Sequence, residues 1–379
     1  MTGFLEYYNN LNEEVINESS GPNTHIEHLE DLIINDGRAG IQTVKKIIEG
    51  ALLRTSGNRS SIIFTCKLDG SPALWMDGDP ERPWVATKSL FNKTPKVNYN
   101  NQDIEANHPG VGLQKKLKIA LQYLPRLGTQ GVIQGDILFT RDDVKPFTFN
   151  KEKYLAFKAN TITYGVRQGT PEAQTILAAE IGIALHTPYE GETYGSLHPI
   201  YGKTISYRKD ADVFVLNPFQ FRVKKMTEDV SNKIRASFEK ALMMTGQDYA
   251  VLEFMTKKDN ASTFKRFSND LLKTRSLMSP PEEWYVGYSY VNPEIKKMPK
   301  ESFIKIVTLY QTIMKIKHVI LGYFVNTSGV DAFIKLDNGY KKVDGEGYVA
   351  IIDGVPVKLV SREVFSLANF TNPKEWTKE

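Results

Sequence analysis

The run Cys66-Lys67-Leu68-Asp69-Gly70-Ser71 places a lysine where an apolar stretch, Ile62-Ile63-Phe64, meets an Asp-Gly turn. A lysine at the lip of a buried strand loses part of its hydration, which favours its neutral, nucleophilic amine. Asp-Gly adds a tight turn and a nearby carboxylate. Read from these residues alone, the run is either an ordinary hairpin turn or a nucleophile with its orienting acid. Other parts of the chain carry groups for the same chemistry. Gln134-Gly135-Asp136-Ile137-Leu138 sets a carboxylate among apolar neighbours, and Asp344-Gly345-Glu346-Gly347-Tyr348-Val349 sets another at the head of a strand-like run. Lys358 stands in Val357-Lys358-Leu359-Val360. Attack of an amine on a phosphoryl group needs such a set: a neutral amine, carboxylates for a divalent metal, and further cations to balance phosphate charge.

The elements that must position these groups are mostly strands. Residues 61–67 and 73–77 are expected to flank the Asp-Gly turn as a hairpin, with 84–88 as a third short strand. Residues 131–139 and 154–164 read as buried β segments, and 204–216 as one or two strands. Apolar spacing predicts helices over 108–124 and 171–185. Thr24-His25-Ile26-Glu27 has the form of a capping box that opens a helix to about residue 35, and a second helix is expected over 41–53. His25, Glu27 and His28 then read as helix-start residues rather than metal ligands. From about 224 to 321 the pattern changes to long amphipathic helices, broken at Ser279-Pro280-Pro281 and Asn292-Pro293. Strands return at 323–325, 332–336, 344–352 and 355–360, followed by a short helical tail over 363–369. The expected organisation is an N-terminal helical segment (1–60), a first core part (61–223), a helical insertion (224–321) and a second core part (322–379).

The chain has 379 residues, 41% hydrophobic and 24% charged, as in ordinary globular proteins, and is long enough for two or three domains. Its single cysteine, Cys66, excludes an intramolecular disulfide and fits a reducing compartment. No basic segment followed by an apolar stretch opens the chain, and no run reaches the ~18 apolar residues of a membrane helix, so a cytoplasmic protein (host-cell cytoplasm, if viral) is expected. A net charge of +4 is too small to indicate nucleic acid by itself. Its distribution is uneven: residues 222–275 carry twelve basic and seven acidic side chains, and 296–317 six lysines and one glutamate. Those cations, interleaved with Phe238, Tyr249, Phe254, Phe264 and Phe267, suit phosphate contacts and base stacking, or else the solvated faces of helices whose aromatics form a core. Gly202-Lys203-Thr204 lacks the glycine spacing of a P-loop, and His186 and His198 lack a zinc-ligand pattern.

In type and order these motifs resemble the covalent nucleotidyltransferases, the superfamily of ATP-dependent DNA ligases, RNA ligases and mRNA capping enzymes, and are most similar to the bacteriophage RNA ligases. Lys67-Leu68-Asp69-Gly70-Ser71 resembles motif I, which implies that Lys67 carries the nucleotide with Asp69 as its orienting neighbour and Gly70 and Ser71 beside it. Thr87-Lys88-Ser89 resembles motif Ia, with Lys88 toward the ribose and phosphate. Gln134-Gly135-Asp136 resembles motif III, with Asp136 in place of the usual Glu. Phe157 is the candidate for the motif IIIa aromatic that stacks on the base, with Tyr164 as second choice. Glu346 matches motif IV and Lys358 motif V, where it would reach the α-phosphate.

The resemblance implies an α+β fold: an antiparallel-sheet, ATP-grasp-like ligase core with a large helical insertion. It implies ATP and Mg2+ as cofactors, the metal held by Asp136 and Glu346, and nucleic acid as partner, with RNA favoured over DNA. Alternatives are transfer to DNA or protein, or a degenerate nucleotide-binding module without catalysis. Three departures stand out. Pro72 occupies the place of a common ribose-binding Arg, only one motif V lysine is present, and Asp136 and Glu346 stand 210 positions apart. With few residues after motif V, no OB-fold domain of the DNA-ligase kind is expected.

Overall fold

In the computed structural model of the chain, residues 26–79, 81–246, 249–336 and 339–366 are described. The strands of the first half are β1 (Ile63–Lys67), β2 (Ala73–Asp77), β3 (Trp84–Ala86), β4 (Val132–Thr140), β5 (Lys145–Phe149), β6 (Glu152–Lys158), β7 (Thr163–Arg167) and β8 (Ile181–Glu190). They are followed by β9 (His198–Pro199), β10 (Val213–Leu216), β11 (Phe221–Val223), β12 (Phe324–Asn326), β13 (Asp331–Leu336), β14 (Gly339–Val343), β15 (Gly347–Ile352) and β16 (Val355–Val360). The fold is α+β, and among the described residues every ladder is antiparallel except the parallel one between β8 and β10. β1 pairs with β15, and β15 with β16. A second sheet has the order β10-β8-β4-β2-β3, and a third β14-β13-β7-β6-β5.

The helical segment enters and leaves through β11 and β12, which pair from Phe221↔Asn326 to Val223↔Phe324. Its first helix, Glu228–Thr245, starts where Thr227 accepts from the Val230 N–H, with Glu228 and Asp229 in the first turn. A side-chain cap and acidic residues both satisfy the electropositive helix start. Pro281 and Pro293 open the next elements after each expected break, because proline is tolerated at a helix start but not inside one. Lys300–Leu321 runs through the middle and buries residues on several faces, among them Phe303, Leu309, Tyr310 and Ile316.

One apolar core joins this segment to the N-terminal helix Gly37–Thr55 and to one face of the β1-β15-β16 sheet, through Phe64, Tyr348, Ala350, Val357 and Leu359. The N-terminal helices and the helical segment after β11 thus share one core. Phe238, Phe254, Phe264 and Phe267 belong to it. Of the two readings these aromatics allowed, the structure shows the core: the four phenylalanines are the interior of the helical layer, and Tyr249 packs partly buried against it. Among the described residues, no helix is long and apolar enough to cross a membrane.

Several expected elements take a different form. β1 and β2 do not make a hairpin: β1 pairs with β15, β2 with β3 and β4, and Leu68–Pro72 crosses from one sheet to the other. The helix from Pro171 stops at Ala178, and the alternating Ile181-Gly182-Ile183 that follows is the start of β8. Residues 154–164 are two strands folded back on each other at 159–162, and of 204–216 only Val213–Leu216 is a strand. Thr24 and His25, like the tail beyond Ser366, lie outside the described residues. Glu27 is extended rather than helical, because its carbonyl accepts from the Lys358 N–H at the β16 edge (2.8 Å).

Candidate active site

Alternation along β1 sends Phe64 and Cys66 into the helical core and leaves Ile63, Thr65 and Lys67 on the other face. Cross-strand partners share a face, so Thr65, Val349 and Lys358 form one row and Lys67, Gly347 and Val360 the next. Lys67 and Lys358 therefore project from the same side of a sheet assembled from both ends of the chain. Glu346, just before β15, meets Lys67 directly, with Nζ and Oε2 2.7 Å apart and the two side chains 24% and 10% exposed. Gly347 makes this possible. Its φ of +144° is glycine territory, and a Cβ there would lie 2.4 Å from the Leu359 carbonyl oxygen.

From Lys67 the chain steps to the second sheet. Gly70 lies against β4 so closely that a Cβ would sit 2.7 Å from that of Asp136. Ser71 N–H donates to the Ile137 carbonyl and Ile137 N–H to that of Pro72, which fixes the crossing onto β4. Asp69 turns away from the amine. Its carboxylate accepts from Asn160 Nδ2 (2.9 Å) and from the Thr161 and Ile162 N–H groups (2.7 and 2.8 Å). Its own N–H donates to the Tyr164 hydroxyl (2.8 Å). These bonds tie the crossing to the β6–β7 turn and spend the Asp69 carboxylate there rather than in a bond to Lys67.

The electrostatics reverse the expectation for Lys67. Burial opposes its charge, but Glu346, with Asp69 and Asp136 behind it, outweighs burial and holds the amine above the ordinary lysine range. Burial raises the Glu346 carboxyl, and Asp69 adds to this, against the pull of Lys67. Beside Lys67 it is Lys358 whose charge is destabilised, lowered to about 8 by burial and then by the Lys67 charge, against the pull of Glu346, Glu27 and Asp31. Cys66, adjacent to Lys67, has its thiol pushed up to about 12 by burial, which leaves it a poor competing nucleophile.

The remaining expected residues divide. Asp136, on β4, adds its negative charge to the surroundings of Lys67. Lys88 is exposed just past β3, whose Ala86 pairs with Trp75 of β2; two residues further along this register Ala73 pairs with Asp136. Phe157 is not a base platform. It is 1% exposed, with its ring between Phe139 (4.5 Å) and Tyr164 (5.8 Å) in the core under β6. Tyr164 is equally enclosed, its hydroxyl taken by the Asp69 N–H. Among the described residues, no group of three or more His, Cys, Asp or Glu is arranged to hold a metal.

A family model described as "Family of unknown function (DUF6267)" matches residues 23–374. The chain belongs to the DUF6267 family. No curated protein and no solved structure matches it.

One side chain of this DUF6267 chain joins the site without a motif to announce it. In the β4–β8 ladder Gln134 pairs with Thr187 and Gly135 with Leu185, so His186 is the extra residue of a β-bulge. The bulge aims His186 Nε2 at Asp136 Oδ1, 3.7 Å away, while Nδ1 lies 2.7 Å from the Thr187 hydroxyl. Bulges re-aim side chains in this way beside functional sites. The only signal for it in the sequence is a histidine inside an apolar run.

Proposed function

We propose that this protein is an ATP-dependent covalent nucleotidyltransferase, a polynucleotide ligase with RNA as the favoured acceptor. One observation carries the reading: Lys67, Glu346 and Lys358, drawn from opposite ends of the sequence, meet on one sheet face beside Asp136. A structural lysine at a turn needs none of these neighbours.

In the reaction the Lys67 nitrogen attacks the α-phosphorus of ATP, and the bond to the β-phosphate oxygen breaks. Pyrophosphate leaves with that electron pair, and AMP remains on the lysine. Lys67 must first lose a proton, and drawing charge off the Glu346 carboxylate 2.7 Å away, which holds the amine protonated, would favour that loss. Lys358 regains full charge beside a triphosphate and balances the charge that develops at the α-phosphate. Asp69 keeps the crossing segment, and with it the lysine, fixed to the β6–β7 turn. Mg2+ is bound by one or two carboxylates plus substrate phosphates rather than by a full protein cage, which suits Asp136 and Glu346. When bound, it would draw their charge away from Lys67 and polarise the phosphates. The AMP then passes to a 5′-phosphate, and a 3′-hydroxyl displaces it to seal the strand.

The ion pair that holds Lys67 charged also favours a second reading, a nucleotide-binding module without chemistry. Protein incubated with ATP labelled in the α-phosphate, freed of nucleotide, and offered nicked RNA, nicked DNA or a protein acceptor separates these. Transfer of label to a 5′-phosphorylated RNA end is expected. Protein that binds ATP but carries no label would refute the ligase and leave the module.

A further inference from the structure

The β14-β13-β7-β6-β5 sheet has one face in a second core, against the helix Pro171–Ala178 and β4, with Leu155, Phe157, Tyr164 and Ile334. Its other face carries Phe147, Phe149, Tyr154, Phe333 and Tyr340, since Phe147 pairs with Tyr154 and Lys335 with Tyr340. A flat five-stranded sheet would separate its edge strands by about 19 Å. Here the edge rings Phe147 and Tyr340 lie 5.0 Å apart, and Phe333 lies 5.1 Å from Phe147 and 5.0 Å from Phe149. The sheet is curled around its own aromatics. Tyr340 remains 39% exposed, and Phe147 and Phe149 are half-buried, so part of each ring at the mouth of the curl is open to solvent.

The same register puts Lys145, Lys158, Arg167, Lys335 and Lys342 on this face. Its carboxylates, Asp331 and Glu152, are already bound, to Lys342 (2.7 Å) and Arg167 (2.9 Å). Lys145 and Lys335 are exposed and have no salt-bridge partner among the described residues. Rings that accept stacking, surrounded by excess cations on a curved sheet, match the chemistry of single-stranded nucleic acid: bases stack without sequence preference and lysines follow the phosphates. A protein partner would be served by the rings but not by the charge excess. Turn 159–162, at one end of this sheet, is the turn that binds Asp69, so hydrogen bonds connect this surface to the segment that carries Lys67.

We propose that this curled face binds single-stranded nucleic acid through Tyr340 and Phe147, with Lys145 and Lys335 on the phosphates. The choice of ligand rests on the polynucleotide reading above, whereas the test uses no ATP. Fluorescence anisotropy with a labelled oligouridylate of about twelve nucleotides measures binding by the intact chain. Tyr340→Ala should weaken it about tenfold. Lys145→Glu with Lys335→Glu should weaken it and lower the salt dependence by about 0.7 in log–log slope for each phosphate no longer neutralised. All three side chains are exposed, so the variants should fold, and Tyr340→Ala should still form any Lys67 adduct the native chain forms. Unchanged affinity in both variants would overturn the proposal. So would tighter binding of duplex than of single strands, or an equal weakening by Lys240→Glu with Lys315→Glu in the groove between helices Glu228–Thr245 and Lys300–Leu321. No binding of any oligonucleotide would also overturn it and leave the face to a protein partner. Binding through this face by a chain that forms no adduct would uphold the surface and refute the ligase.

Discussion

Replacing Asp69 separates the role of acceptor geometry from that of charge at the sheet crossing. Its carboxylate is nearly buried and receives three hydrogen bonds, two of them from the Thr161 and Ile162 N–H groups through Oδ2. Asp69→Ala removes every acceptor. A bond to an ionised group contributes about 1.5–3 kcal/mol, and a buried N–H left without a partner costs about 1–3 kcal/mol. Ile162 is fully buried, whereas Thr161 and Asn160 are only half-buried and can turn to water, so we expect a loss of about 3 kcal/mol. Asp69→Asn behaves differently. Its carbonyl oxygen can stand where Oδ2 stands and keep both backbone bonds, while its new amide meets Asn160. The Asn160 amide need only turn over to accept instead of donate, so the cost should be about 1 kcal/mol, the charge assistance alone. Urea unfolding at neutral pH, followed by circular dichroism, reads the difference in midpoint. Equal losses for Asn and Ala would show that charge, not the acceptor arrangement, holds the crossing. An Ala variant within about 0.5 kcal/mol of the native chain would refute the anchoring role.

Phe157→Ala should cost about 3–5 kcal/mol in the same experiment and change ATP affinity little in the folded fraction, whereas a base platform would show the opposite. Lys317→Met should cost about 3–5 kcal/mol, because it leaves Glu30, bound by Lys317 at 2.6 and 2.8 Å, as a buried charge with Arg362 only at 3.8 Å; a loss below about 1 kcal/mol would contradict this. Lys358, at about 8 in the folded chain and ~10.4 unfolded, releases its proton first from the folded state, so native stability should rise from about pH 8 to about pH 10. Thermal melts of Lys358→Met should lack that rise and show no loss of stability near neutral pH, while its adduct formation with ATP falls.

Local residue patterns make much of the scaffold legible. Strand-like runs around Phe64, Ile133, Ala350 and Val357 are strands, and the proline-marked breaks at Pro281 and Pro293 open new helical elements. Pairing is another matter. Asp-Gly signals a turn but not which strand follows beside the first, and the partner of β1 comes from near the other end of the chain. Phe157 mimics a base platform in the sequence because Tyr154, Leu155, Ala156 and Phe157 are all buried, so the middle of β6 shows no alternation of buried and exposed residues. In residues 171–185, apolar content hides the change from helical to strand period at Ala179-Glu180. The charge on Lys67 depends on Glu346, 279 positions away, and the aim of His186 on a bulge, and neither is written in neighbouring residues.

The most direct measurement is the intact mass of the protein after incubation with ATP and Mg2+, followed by peptide mapping. The native chain should gain one AMP, on Lys67, that Lys67→Ala cannot acquire and that added pyrophosphate removes. No gain in mass, or an adduct that persists in Lys67→Ala, would contradict the assignment of Lys67 as the nucleotide carrier.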